Sequence, residues 1–286
     1  MHSRGGARLS GSARWGVYIP GMRTTCLTLL ALLAAAPASA EELRPLRHDL
    51  QLDVTITGGG LGLLLLGTLA SEQLGPVTCR FCAPNSFDER ARNALLWNYT
   101  ATARSAAGAT SALLALGVGA EVMLVANAYD DPRSGLVDLL VITEAVTLAL
   151  DAGLVLQHAT GRQRPFVHFA NYPEPVHAPT TADNLSFPAG QATFAFSLAA
   201  AAGTVAFLRG WRHAPWVLGL GLGVATVIGY LRMAGDMNYA TDVMAGAALG
   251  GAAGFAIPWF FHQPEEGERR SAVRLVPAPG GLALLF

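Results

Sequence analysis

The sequence contains no lysine; all 19 basic residues are arginine. Schiff-base chemistry, a lysine general base and a lysine phosphate ligand are therefore excluded at every position. Charge of either sign is scarce, with 14% of residues charged and 52% hydrophobic. A soluble domain carries roughly 25% charged residues, so this composition excludes an ordinary soluble globule and points to a bilayer as solvent. The 19 basic and 20 acidic groups nearly cancel, to −1. No basic stripe gathers that could neutralise a run of phosphates, which excludes nucleic acid as a partner. Cysteine is limited to Cys26, Cys79 and Cys82. A zinc site needs more ligands than the lone Cys79-x-x-Cys82 pair supplies, so the expectation is a disulfide in an oxidising compartment. Neither a cofactor motif nor a metal-ligand set is read from the sequence.

What the chain does have is long apolar runs. Met22-Arg23, the stretch Leu27 to Ala36 and the small-residue close Ala38-Ser39-Ala40 read as a targeting segment cleaved after Ala40. The 21 residues before Met22 are either a long leading region or the product of a start codon assigned too early. Five runs then reach the length needed to cross roughly 30 Å of hydrocarbon: 105–127, 136–156, 192–208, 215–231 and 243–261. A sixth, 54–70, is weaker, because it opens beside Asp53 and carries Gly58-Gly59-Gly60. Gly246, Gly250 and Gly254 repeat at a spacing that places them on one helix face for close packing. The expected architecture is an all-α, single-domain transmembrane bundle of five to six spans. Its parts are a targeting segment 1–40, a lead-in 41–98, a membrane bundle 99–261 and a tail 262–286. In the tail, 272–276 and 282–286 flank a Pro-Ala-Pro-Gly-Gly turn as a hairpin would.

Orientation follows from arginine. Arg209 and Arg212, between 192–208 and 215–231, read as cytoplasmic, which places the long connection 157–191 in the periplasm of a bacterial inner membrane. A cleaved targeting segment followed by a crossing at 54–70 would invert this. The expectation is therefore that 54–70 does not cross.

Three clusters lie at one end of the bundle. Gln157 precedes Gly161-Arg162-Gln163-Arg164-Pro165, where Pro165 stops the helix. Ser186-Phe187-Pro188-Ala189-Gly190-Gln191 stands just ahead of the next helix, with Gly190 freeing backbone amides toward an anion. Leu231-Arg232 is followed by Asp236, Asn238 and Asp242.

In order and internal spacing these clusters resemble the phosphatidic acid phosphatase type 2 and vanadium haloperoxidase superfamily over roughly 136–261. That family carries Lys seven positions before Arg-Pro, then Pro-Ser-Gly-His, then Ser-Arg with a His and an Asp at fixed spacing beyond. The resemblance implies a phosphate clamp at Arg164, Gly190 and Arg232, on a scaffold of Pro165 and Pro188. It implies that the Lys position holds Gln157, the second-motif Ser holds Ala189, and the proton-donating His holds Gln191. The nucleophilic His falls on Asn238, the orienting Asp is retained as Asp242, and Leu231 replaces the third-motif Ser.

A carboxamide nitrogen has its lone pair delocalised, so Asn238 cannot form a phospho-enzyme and Gln191 cannot deliver a proton. Loss of a general acid alone is worth about 10²–10⁴ in rate. Rescue would need another group. His158 is rotated about 100° from Gln157 along the helix, and His168 and His177 sit in a connection. Without its His, Asp242 is expected to pair with Arg232 or accept from the Asn238 amide. Glu121, Asp138, Glu144 and Asp151 fall in or near apolar runs, where an ionised group usually faces a partner or a cavity. Pairing across the bundle is the simpler reading; a proton or ion path along Glu144 and Asp151 is the other.

The function expected is a pseudophosphatase with no cofactor or metal, retaining a pocket for phosphate or a phospholipid headgroup. The alternatives are an active lipid phosphate or isoprenyl pyrophosphate phosphatase using residues outside the family pattern, and a lipid-handling or transport protein. The partner implied is a membrane lipid; the sequence names no protein partner.

Overall fold

The structure, a computed structural model, describes residues 43–169 and 180–265 and two strands, 274–278 and 281–285. The targeting segment 1–40 and His177 lie outside the described residues.

Six helices are long and apolar enough to cross a membrane: α1 (Leu50–Leu69), α4 (Thr100–Tyr129), α5 (Pro132–Thr160), α7 (Gly190–Arg209), α8 (Ala214–Ala234) and α9 (Ala240–Phe261). Shorter helices α2 (Ser71–Leu74), α3 (Ser86–Leu95) and α6 (Pro165–His168) and a 3-10 turn (Thr181–Asn184) occupy the connections at one end. The tail strands β1 (Arg274–Ala278) and β2 (Gly281–Leu285) pair antiparallel from Arg274 with Leu285 to Ala278 with Gly281, the hairpin the turn residues predict.

The helix ends follow local chemistry. The Asp131 side chain caps α5 by accepting from the Arg133 amide, with Pro132 at the first position. Gly161 closes the same helix at φ 57°, a left-handed conformation that glycine adopts without a Cβ penalty. The Asp49 side chain caps α1 by accepting from the amides of Gln51 and Leu52.

At the centre is α7, with 78% of its apolar window buried against 22–44% for the other five spans. Its run Ala199 to Ala202 is small because α5, α8 and α9 all close on it. The glycine stripe of α9 lies directly against it. A Cβ on Gly246 would stand 2.6 Å from the Ala189 carbonyl oxygen, and Cβ atoms on Gly250 and Gly254 would strike the carbonyl oxygens of Thr193 and Ser197. The packing reading of that stripe holds.

Against the expectation that 54–70 does not cross, the segment forms a helix long and apolar enough to do so. The helix covering it has 20 residues, or roughly 30 Å at 1.5 Å per residue. It runs along α5: a Cβ on Gly60 would meet Thr147 and Asp151, and one on Gly67 would meet Leu154. Gly60 and Asp53, which weaken the sequence signal, face inward, while Leu61, Leu63, Leu65, Leu66 and Leu69 are exposed on the outside. A helix that buries Asp53, Thr57, Gly60 and Gly67 and turns its leucines outward suits hydrocarbon.

The two ends of the bundle are thereby distinct. One end gathers the start of α1, the α4–α5 and α7–α8 connections and the end of α9. There Arg209 Nε lies 2.9 Å from both carboxylate oxygens of Asp138, and Arg209 also donates to the Arg44 carbonyl. The other end gathers all three motif clusters together with 70–99.

Candidate functional site

The C-terminus of α5, the N-terminus of α7 and the α8–α9 connection converge at the motif end. Arg164 begins α6, and its guanidinium donates to the carbonyl oxygens of Ala182, Met237 and Leu185 at 3.0–3.1 Å. It holds two connections together with hydrogen bonds that a phosphate clamp would otherwise have free. Burial pushes this guanidinium below its ordinary value, opposed in part by the charges of Asp242 and Asp183.

Arg232, near the end of α8, points at both positions where the family pattern has histidine. Its Nε donates to Asn238 Oδ1 at 2.9 Å and its Nη1 to Gln191 Oε1 at 3.0 Å. The amide nitrogen of Asn238 donates to the Ser186 carbonyl at 2.8 Å, and that of Gln191 to Ser111 Oγ at 2.9 Å. Both carboxamide oxygens are thus turned toward a guanidinium and both nitrogens away from it. Gln157 donates to the Pro188 carbonyl at 2.8 Å, so the residue at the family's Lys position ties α5 to the second cluster. Gly190 is the first residue of α7, and Ala189 before it supplies no side-chain cap, so the first amides of that helix are left for an anion.

Asp242 does not pair with Arg232 or with the Asn238 amide, which corrects that expectation. Its oxygens accept from Arg162 Nη1 at 2.5 Å, Ser186 Oγ at 2.6 Å and the Tyr239 amide at 2.9 Å. The physical reason is Arg162, a residue given no role in the sequence reading. Arg162 also donates to Asp88 Oδ2 at 2.7 Å and lies over the Tyr239 ring at 4.4 Å. Asp88 is fully buried and accepts in addition from the Thr241 amide and hydroxyl. Burial alone would lower the Arg162 pKa, but Asp242 and Asp88 outweigh it and raise the value. A second pair, Arg92 to both oxygens of Asp236 at 2.6 and 2.7 Å, fastens α3 beside the first.

Three guanidiniums are left over. Arg104 donates to the Gly235 carbonyl, and Arg104 and Arg164 are the charges that act on Arg232. Among the described residues none of these three forms an ion pair with a carboxylate; every hydrogen-bond acceptor they have is an uncharged oxygen.

The remaining expectations fall as follows. Cys79 and Cys82 are joined, and the loop that carries them is fixed to the motif end by the Arg80 amide donating to the Gly161 carbonyl. His158 bonds back to the Leu154 carbonyl on its own helix, and His168 packs edge-on against Phe169. Of the membrane carboxylates, Asp138 pairs with Arg209 and Glu121 with His213 at 2.6 Å, as cross-bundle pairing predicts. Glu144 and Asp151 both face α1.

Residues 138–265 match the family model of the PAP2 superfamily. The match runs from within α5 to just beyond the end of α9. Nothing among curated proteins matches the chain. Among solved structures, the chain is similar to a transmembrane PAP2-type phosphatidylglycerolphosphate phosphatase from Bacillus subtilis. The TM-score is 0.43 at 20% identity, covering 69% of this chain and 93% of that one. The matched residues include Gln157, Arg164, Gly190, Gln191, Arg232, Asn238 and Asp242.

Proposed function

We propose that this membrane protein is a catalytically inactive PAP2 member that binds the phosphate of a lipid headgroup. The observation that carries the inactivity is the Gln191–Arg232–Asn238 chain. A nucleophile needs a basic lone pair facing the phosphorus, and the atoms facing the guanidinium here are two carboxamide oxygens. The hydroxyls beside this chain offer no substitute: Ser111 is buried and donates to the Ala107 carbonyl, and Ser186 is fully buried and donates to Asp242. Binding is supported by the excess of positive charge: Arg104, Arg164 and Arg232 together with the uncapped start of α7. Half-buried charge without a carboxylate partner is costly, and a phosphate supplies a counter-ion. Arg232 and Arg104 provide the contacts, while Arg164, whose donors are spent on carbonyls, contributes mainly field.

In this reading the site faces the oxidising, periplasmic side of a bacterial inner membrane, which the Cys79–Cys82 bond supports. With α1 crossing, residue 43 then lies on the cytoplasmic side, which is at odds with cleavage and export at Ala40.

The test is thermal unfolding of detergent-solubilised protein with orthovanadate or phosphatidic acid. Either ligand should raise the melting temperature by linkage to the folded state. Arg232→Gln removes the charge while keeping a donor for its partners, and it should abolish the rise. A rise unchanged in Arg232→Gln would overturn the assignment.

A further inference from the structure

We propose that Asp53, Glu144 and His262 bind a divalent transition-metal cation of the zinc or manganese class, at the bundle end opposite the PAP2 site. The three residues come from α1, α5 and the end of α9, and one ligand atom from each lies within 4.8 Å of the other two. They line a cavity of about 400 Å³ whose wall also includes Arg47, His48 and Asp49. The expectation of no metal came from the absence of any local ligand motif; these ligands are distant in sequence.

All three side chains are buried, with exposures of 3% for Asp53, 4% for Glu144 and 2% for His262. Asp53 Oδ2, Glu144 Oε2 and His262 Nε2 each lack a hydrogen-bond partner. Glu144 Oε2 and His262 Nε2 stand 3.3 Å apart, within ion-pair range but outside hydrogen-bond geometry. Two buried carboxylate oxygens left this way are expensive in a membrane span unless a cation meets them. The histidine is set up as a ligand. Its Nδ1 faces the Arg47 carbonyl oxygen at 3.1 Å, and only a protonated Nδ1 can bond there. With Nδ1 held by the carbonyl, Nε2 faces the two carboxylates, and in the neutral ring it presents its lone pair to them, the arrangement by which a backbone carbonyl orients a metal-bound imidazole. A neutral imidazole and two carboxylates sum to −2, which a divalent ion balances. The nitrogen donor favours zinc, manganese or iron over magnesium or calcium, and three protein ligands leave a position open to the cavity.

The test uses untagged, full-length protein, stripped with a chelator and titrated with Zn²⁺, with Co²⁺ as a spectroscopic probe. The expected result is one Zn²⁺ per chain, a rise in melting temperature on addition, and a visible Co²⁺ absorption that Zn²⁺ displaces. Glu144→Gln and His262→Ala should each weaken Zn²⁺ binding at least tenfold. Glu144→Gln should leave the metal-free melting temperature no lower than that of the parent, since it removes an unpaired buried charge, and so separates lost ligation from lost folding. Absence of Zn²⁺ uptake by the parent overturns the proposal, as does binding that survives both substitutions. A melting temperature that follows pH without metal uptake also overturns it and makes the cluster a proton-sharing one.

Discussion

Arg162→Ala is expected to destabilise the bundle more than any change at the positions where the family pattern has histidine. The Arg162 guanidinium is 11% exposed and bridges two carboxylates, Asp88 and Asp242, that are 0% exposed, at 2.7 and 2.5 Å. Its removal leaves both acids buried with no cation. Breaking a buried pair by deleting one partner costs about 3–5 kcal/mol. Each kcal/mol lowers the melting temperature of a domain of this size by about 2–4 °C, so a loss on the order of 6–20 °C is expected in detergent. The remaining donors to Asp242, Ser186 Oγ and the Tyr239 amide, cannot balance its charge. A double-mutant cycle with Asp242→Asn should show strong coupling: once Asp242 is neutral, Arg162→Ala should cost less than in the parent by at least about 1 kcal/mol. Additive effects, or a single-mutant shift below about 2 °C, would refute the view that this network fastens the lead-in to the bundle.

Three other outcomes follow from the packing and topology. Gly250→Ala places a methyl against the Thr193 carbonyl of α7 and should cost about 1–3 kcal/mol, read as a lower melting temperature; Gly251→Ala, with open space around it, should cost little. Arg209→Ala leaves Asp138 buried without its counter-ion and should destabilise by about 3–5 kcal/mol, most of it recovered in Arg209→Ala/Asp138→Asn. In intact cells under non-reducing conditions Cys79 and Cys82 should resist thiol reagents, and a membrane-impermeant reductant should make both reactive to an impermeant maleimide; reactivity only after lysis would place the motif face inside.

The five strong apolar runs each fall inside one of the observed spans, because length and apolarity suffice to specify a helix in hydrocarbon. The sixth, α1, is obscured in the sequence by residues that other helices cover: Gly60 lies against Thr147 and Asp151, and Asp53 beside Glu144 and His262. At the motif end, family spacing brought Gln191, Arg232 and Asn238 into one reading, and they do meet. Arg162 escaped notice because its partner Asp88 lies 74 residues away, in a lead-in that carries no motif. Arg164 beside it drew the attention and proves to be a backbone tie. Glu144 was legible as an intramembrane carboxylate, but its neighbours Asp53 and His262 come from other helices, and no local pattern joins them.

The central claim concerns chemistry, and the direct measurement is phosphate release from phosphatidic acid and from an isoprenyl pyrophosphate by purified protein. With carboxamide oxygens at both reacting positions, the parent and Asn238→Ala should release phosphate equally, at the rate of a protein-free control. Turnover by the parent that Asn238→Ala or Gln191→Ala abolishes would contradict the account.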